Sequence, residues 1–164
     1  MSQHSIIDRA GFRQAMSRVA ASVHLVTTDG PAGRRGVTAT SVCSVSDDPA
    51  TLLVCLNVSS ASNERFAANG VLAVNTLGAE SETLARAFAG EGKLEADERF
   101  ARGIWSRLET GAPVLDAALA SFDCRIVESR IVATHHVIVA EVAAIRMGPE
   151  GASLLYRERQ YRTL

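Results

Sequence analysis

The stretch GVTATSVCSVSDDPATLLVCLNVSSASN, residues 36–63, decides how this chain is read. Its first part, Gly36 to Val45, is built from small and β-branched residues (Val37, Thr38, Thr40, Val42, Val45) and predicts a strand. Alternation along such a strand puts Thr38, Thr40, Ser44 and Ser46 on one face and Ala39, Ser41 and Cys43 on the other. Asp47-Asp48-Pro49 predicts a turn. Thr51 to Val58 is nearly all apolar and predicts a second strand, central in its sheet. Ser59, Ser60 and Ser62 follow, just before a predicted short helix through Phe66 that Ser62 can cap and Asn69-Gly70 ends. A strand with small side chains leaves its backbone N–H and C=O groups reachable by a flat ring. Hydroxyls and free N–H groups at a helix N-terminus can hold an anion without a lysine. The same residues also read as an ordinary two-faced strand with a hydroxyl-rich exposed side, followed by a simple cap.

Working outward, Asp8 can cap a helix that presents Phe12, Met16, Val19, Ala20 and Val23 on one face, packed against the body. Val23 to Thr28 predicts a strand and Asp29 to Gly33 a turn. Gly30, Gly33 and Gly36 are spaced G-x-x-G-x-x-G, which is not the dinucleotide fingerprint, and no helix follows. The glycines therefore predict a flexible hairpin loop. Arg34 and Arg35 sit at its tip, solvated or meeting a phosphate or a partner.

Towards the C-terminus, Val71 to Leu77 predicts a strand. Ser81 to Ala89 predicts a helix with Leu84, Ala85 and Phe88 inward, ended by Gly90. The charged run Glu91 to Arg102 reads as a loop or mobile helical turn. Leu119 to Glu128 and Ile131 to Arg146 predict long strands joined by a turn at Ser129-Arg130, and Ser153 to Tyr161 a last strand. Helices do not alternate with strands, so the chain reads as α+β, mainly β, a barrel with a few flanking helices rather than a doubly wound sheet.

Composition narrows the functional classes. The 164 residues suit a single domain, 1–164. Lys plus Arg is 17 and Asp plus Glu 18, a net charge of −1, with no basic excess to favour nucleic acid or an anionic membrane. No apolar run reaches bilayer length, and Met1 to Arg13 has no apolar core of a secretory signal. Cys43, Cys55 and Cys124 form no C-x-x-C pair and read as buried, reduced thiols of a cytoplasmic protein. His135 and His136 are neighbours on a predicted strand and face opposite sides; no nearby Cys, Asp or Glu completes a metal site. No Ser/His/Asp set can be assembled from spacing.

Thr27 to Gly33, Gly36 to Ser46, Pro49, Leu52 to Asn57, Ala73 to Leu77, Phe88 to Gly90, Arg99-Phe100 and Ala133 to His135 stand in an order that resembles the flavin reductase-like domain family. The match runs from Phe12 to Tyr161 and looks most like the reductase components of two-component monooxygenases. The resemblance implies a split β-barrel that binds FMN or FAD as a homodimer. It also implies a hydride taken from NADH or NADPH, and reduced flavin supplied to a separate monooxygenase. On this pattern the flavin ring lies along Thr38, Ala39, Thr40, Ser41 and Val42. Asn57, Ser59, Ser60, Ser62 and Asn63 hold the ribityl chain and phosphate, and Phe88, Ala89 and Gly90 border the flavin. His135 lines the nicotinamide side as the catalytic candidate, with Tyr161 on the closing strand nearby. Ala50 departs from the pattern, standing where many relatives have a second proline after Pro49. Hydride transfer between two cofactors needs alignment rather than an acid–base pair, so the lack of a catalytic constellation is expected. Two other readings stay open: a reductase of a corrinoid or metal complex on the same fold, and a flavin-binding protein without turnover.

Overall fold

The computed structural model describes residues 7–164; the first six residues of the polar N-terminal segment lie outside the described residues. Helix α1 (Arg9–Met16) is capped by Asp8, whose carboxylate accepts from the Gly11 N–H at 2.5 Å. It leads into β1 (Ala21–Ser22) and β2 (His24–Thr28). Next come β3 (Arg35–Ala39), β4 (Val42–Asp47) and β5 (Ala50–Asn57), then α2 (Glu64–Asn69) and β6 (Val71–Thr76). Helices α3 (Glu82–Phe88) and α4 (Ala96–Phe100) precede a small hairpin of β7 (Trp105–Arg107) and β8 (Pro113–Leu115). The chain ends with β9 (Ala120–Val132), β10 (His135–Met147), β11 (Leu154–Arg157) and β12 (Gln160–Thr163).

Seven strands form one antiparallel sheet in the order β3-β2-β6-β9-β10-β5-β4. Its two edge strands, β3 and β4, are consecutive in the chain, and only Thr40 and Ser41 separate them. Two residues reach less than about 8 Å, so the sheet must curl until its edges meet at that point. The edges do not pair with each other, and the result is a barrel left open along one seam. This is the α+β, mainly β, barrel that the residues predict and the split barrel that the resemblance implies.

The barrel interior is filled by Val26, Ala39, Leu52, Val54, Leu56, Leu72, Val74, Cys124, Ile138 and Ala140, with Phe66 of α2 closing it. A second cluster lies outside the barrel wall. It packs Leu25 and Leu77 against Ala85 and Phe88 of α3, Phe100 of α4, Leu115 and Leu154. Buried Asn75 ties the layers together. Its amide donates to the Leu25 carbonyl (3.0 Å) and Thr27 Oγ1 (3.2 Å), and its carbonyl accepts from the Leu115 N–H and Ser121 Oγ (both 2.9 Å).

Several expectations need correction. The Gly36–Val45 strand is two strands that pair with different partners, β2 and β5, so the alternation of faces fails at Thr40-Ser41. β5 is not central: it lies next to the edge, and only Leu52, Val54 and Leu56 on one face are buried. The long hairpin turns at Ala133-Thr134, not at Ser129-Arg130, and its distal half is exposed, which removes the burial pattern that would mark a turn. The last strand is a hairpin, β11–β12. Ser62 caps nothing: Ala61–Asn63 is a 3₁₀ turn without a side-chain cap. The stripe of α1 is not packed on the body; Phe12, Met16 and Val19 are 61%, 50% and 54% exposed. Only Cys124 of the three thiols is buried; Cys55 is half-buried and Cys43 exposed. The 91–102 segment is not a plain loop: it holds a 3₁₀ turn and helix α4, with Glu95 and Glu98 forming a reciprocal capping box.

Candidate functional site at the open seam

The seam carries a pocket of ≈ 530 Å³. One wall is the end of β3 and the link that follows it, Thr38, Ala39, Thr40 and Ser41. The facing wall is the end of β5, Cys55 to Asn57. Phe88, Ala89 and Gly90 at the end of α3 close one side. His135 opens β10 directly opposite Asn57, a register that brings its ring to the pocket. Its Nδ1 is tied to Thr134 Oγ1 at 2.9 Å. The Thr38 hydroxyl donates to the Ala85 carbonyl at 2.7 Å, so it is spent on holding α3. What this wall offers a ligand is its backbone and small side chains, and a flat ring fits against such a surface.

The opposite end of the pocket is polar and cationic. Buried Asn63 donates through Nδ2 to the Asn57 carbonyl (2.9 Å), which folds the Asn57–Asn63 loop on itself. Its Oδ1 accepts from Arg35 Nε at 3.2 Å, and Arg35 Nη2 donates to Ser60 Oγ at 3.2 Å. Arg99 reaches the same pocket from α4, and its Nε is buried with no hydrogen-bond partner. Burial holds the Arg35 guanidinium below its usual range, and the charges of Arg99 and Arg65 lower it further. Among the described residues no carboxylate lies within ion-pair distance of Arg35, Arg65 or Arg99; Asp97 is taken by Arg34 at 2.6 Å. Two arginines lining the pocket, one of them with an orphaned buried donor, and Arg65 near enough to act on Arg35 describe a place for an anion.

Of the residues expected at the site, Thr38, Ala39, Thr40, Ser41, Asn57, Ser60, Asn63, Phe88, Ala89, Gly90 and His135 converge here. Four do not line this pocket. Val42 packs toward the barrel interior. The Ser59 N–H turns back to Asn57 Oδ1 at 2.8 Å, and Ser62 stands in the 3₁₀ turn. Tyr161 lines an adjoining cavity of ≈ 220 Å³, reached past Thr38, Ala39, Thr40 and Ala89. The sequence places the anion end at a helix N-terminus, but α2 is only six residues long and arginines supply the charge. Sequence reasoning misses Arg99 as a ligand-facing group, because in a run of acidic and basic residues it reads as a solvated charge. Arg35 reads as a loop tip; it is the first residue of β3, where the sheet turns it inward. Cys55 reads as an inert core thiol, yet it too lines the pocket.

Among the described residues there is no group of His, Cys, Asp and Glu that could hold a metal ion, and no helix is long and apolar enough to cross a membrane. Residues 16–164 match the flavin reductase like domain. The chain is 54% identical over 158 residues to FMN reductase (NADH) RutF 1 of Methylorubrum extorquens, covering 96% of this chain and 78% of that protein. It is similar in structure to BorF, the flavin reductase component of a bacterial two-component tryptophan halogenase (TM-score 0.87, 29% identity, 96% of this chain and 98% of that one). It is also similar to SgcE6, the NADH:FAD oxidoreductase of Streptomyces globisporus, solved with NAD and FAD fragments (TM-score 0.85, 28% identity, 96% and 95% coverage).

Proposed function

Because the chain belongs to the flavin reductase like domain family, we propose that it is a flavin reductase that takes a hydride from NADH and delivers it to FMN. The observation that carries this reading is the two-ended pocket. A small-residue wall at Thr38–Ser41 suits a flat ring, and a cationic end with an orphaned buried Arg99 Nε suits a phosphate. The residues present therefore fit FMN, and the choice of FMN and NADH follows the relative at 54% identity. FAD as acceptor and NADPH as donor have less support.

Bound flavin supplies the hydride-accepting centre. The protein's part is binding and alignment. The Thr38–Ser41 backbone would hold the ring. Asn57, Ser60 and Asn63 hold the ribityl chain and phosphate together with Arg35 and Arg99. Phe88, Ala89 and Gly90 border the ring and exclude water on that side. His135, braced by Thr134, would orient the nicotinamide, and Tyr161, lining the adjoining cavity, would border it. No proton has to move for the hydride step, and none of these side chains needs to act as an acid or base.

Around this core, the reduced flavin is handed to a separate monooxygenase, by analogy with BorF, which is the flavin reductase component of a two-component tryptophan halogenase. The chain, read as one domain over 1–164, works as a homodimer. This is supported by apolar side chains left in solvent on α1 (Phe12, Met16), just after it (Val19), and on the sheet (Val45, Val127, Ile131, Val132). Free thiols at Cys43, Cys55 and Cys124 suit a cytoplasmic setting.

The test is NADH oxidation by the purified protein with and without added FMN. Turnover is expected only with flavin; a protein that binds flavin yet never consumes NADH or NADPH would sink the proposal. His135→Ala is expected to raise the KM for NADH about tenfold, the loss of one good contact, while the Kd for FMN stays unchanged. Equal loss of both would remove His135 from the nicotinamide side.

A further inference from the structure

Charge is not spread evenly over this chain. The whole carries −1, yet residues 8–18 and 157–164 hold Arg9, Arg13, Arg18, Arg157, Arg159 and Arg162 against only two acidic side chains, Asp8 and Glu158. All six arginines are exposed, and among the described residues none has a carboxylate within ion-pair distance. The fold brings the two segments together. β1, which follows α1, pairs with β11, and the Glu158 N–H at the β11–β12 turn donates to the Ser17 carbonyl at the end of α1 (2.5 Å). Glu158 and Arg159 both hold left-handed backbone angles, φ 51° and 61°, so Arg159 is presented from a tight two-residue corner. A groove of ≈ 620 Å³ is lined by Arg13 of α1, by Arg159, and by Thr40 and Ser41. Thr40 and Ser41 also line the flavin pocket, so the cationic face opens directly beside the seam.

We propose that this arginine face steers anionic ligands to the seam, drawing in phosphorylated flavin and dinucleotide from a distance without holding either once bound. The inference rests on the flavin-reductase reading for its ligands, and it assigns a rate rather than a contact. FMN and the dinucleotide are both anions, and a chain of net charge −1 has no overall attraction for them. A patch of one sign does attract them. Its field reaches about 10 Å at an ionic strength of about 0.1 M, and it raises the share of encounters that happen at the right face. Exposed arginines add little to the bound state, because water and salt screen the contact and a long side chain must lose freedom to make it. Their effect therefore falls on the association rate constant, as it does for charges at the rim of an interface. Arg35 and Arg99 line the pocket itself, where a lost contact would be read in the dissociation rate instead.

The experiment is stopped-flow binding of FMN and of uncharged riboflavin, followed by flavin fluorescence. It compares the wild type with two double variants, Arg13→Gln with Arg159→Gln and Arg13→Lys with Arg159→Lys. At an ionic strength of about 10 mM, where screening is weak, the glutamine pair should slow FMN association about three- to tenfold. At about 1 M the difference should vanish. The FMN dissociation rate and both riboflavin rates should match the wild type throughout, which also shows that the variant pocket is folded. The lysine pair should associate like the wild type, because steering needs a charge at that place and not the guanidinium fork. FMN association left unchanged by the glutamine pair at low salt would overturn the proposal. So would faster FMN dissociation, which would make these arginines contacts, and so would slowed riboflavin association or a lysine pair as slow as the glutamine pair, which would make them structural. A wild type that binds neither flavin would instead overturn the flavin reading of the pocket.

Discussion

Gly36, the first residue of the stretch that decides the fold, has a role that its backbone angles do not explain. A Cβ built there would lie 2.5 Å from Phe88 Cε1 and 3.1 Å from Phe100 Cζ. Both rings are buried and packed against each other edge to face at 5.1 Å, so neither can retreat. Gly36→Ala should therefore cost about 1–3 kcal/mol of stability, read as a lowered denaturation midpoint, and Phe88→Leu in the same chain should recover part of it. His24 is the other residue with a readable consequence. Burial pushes its imidazole down to about 4 from 6.5, where it sits 3.1 Å from Thr76 Oγ1. The unfolded chain takes up this proton below pH 6.5, but the folded chain only near pH 4. Stability contributed by neutral His24 is therefore complete above pH 6.5 and declines as the pH falls towards 4, by up to ~3 kcal/mol. Urea midpoints at about pH 7.5 and 5.0, on either side of the unfolded value, should show this decline in the wild type and a shallower one in His24→Gln. Identical slopes would contradict the assignment.

At the scale of elements, much of the chain was legible because burial imposes a pattern on sequence. β2, β6 and α3 lie where their apolar residues predict, and Gly90 ends α3 with φ 99°. What was not legible depends on partners distant in sequence. The break at Thr40-Ser41 exists because the chain leaves one sheet edge for the other, and small residues there carry no local signal of it. The β7–β8 hairpin has strands of three residues, too short to show alternation; it is held by the Asn75 carbonyl on the Leu115 N–H instead. Asn75→Ala should strand that N–H and the Ser121 hydroxyl in the interior, at roughly 3 kcal/mol or more. Hydrogen exchange should show the hairpin amides losing protection, whereas a loss confined to β6 would count against Asn75 as the link. The candidate site was legible to the same degree. Its small-residue wall and Ser/Asn loop were visible in sequence, and Arg35 stood open as a phosphate contact, whereas Arg99 was not visible, because nothing local distinguishes an inward-facing arginine from a solvated one.

At the scale of the whole molecule, the open seam explains why the pocket is where it is. A closed barrel would pair β3 with β4 and leave no backbone for a ligand, whereas the two-residue link draws the edges together without joining them. Ring support, phosphate charge and His135 then come from three separate regions that only this closure brings within one cavity. Apolar side chains on the sheet and on α1 face solvent, and sedimentation equilibrium should give twice the 17.4 kDa chain mass; a monomer at micromolar concentration would contradict the proposed dimer. The most direct test of the central claim is a crystal structure of the protein with FMN. The account predicts the ring along Thr38–Ser41 and the phosphate within hydrogen-bond distance of both Arg35 and Arg99. FMN bound anywhere else, or in this pocket with its phosphate turned away from the arginines, would contradict it.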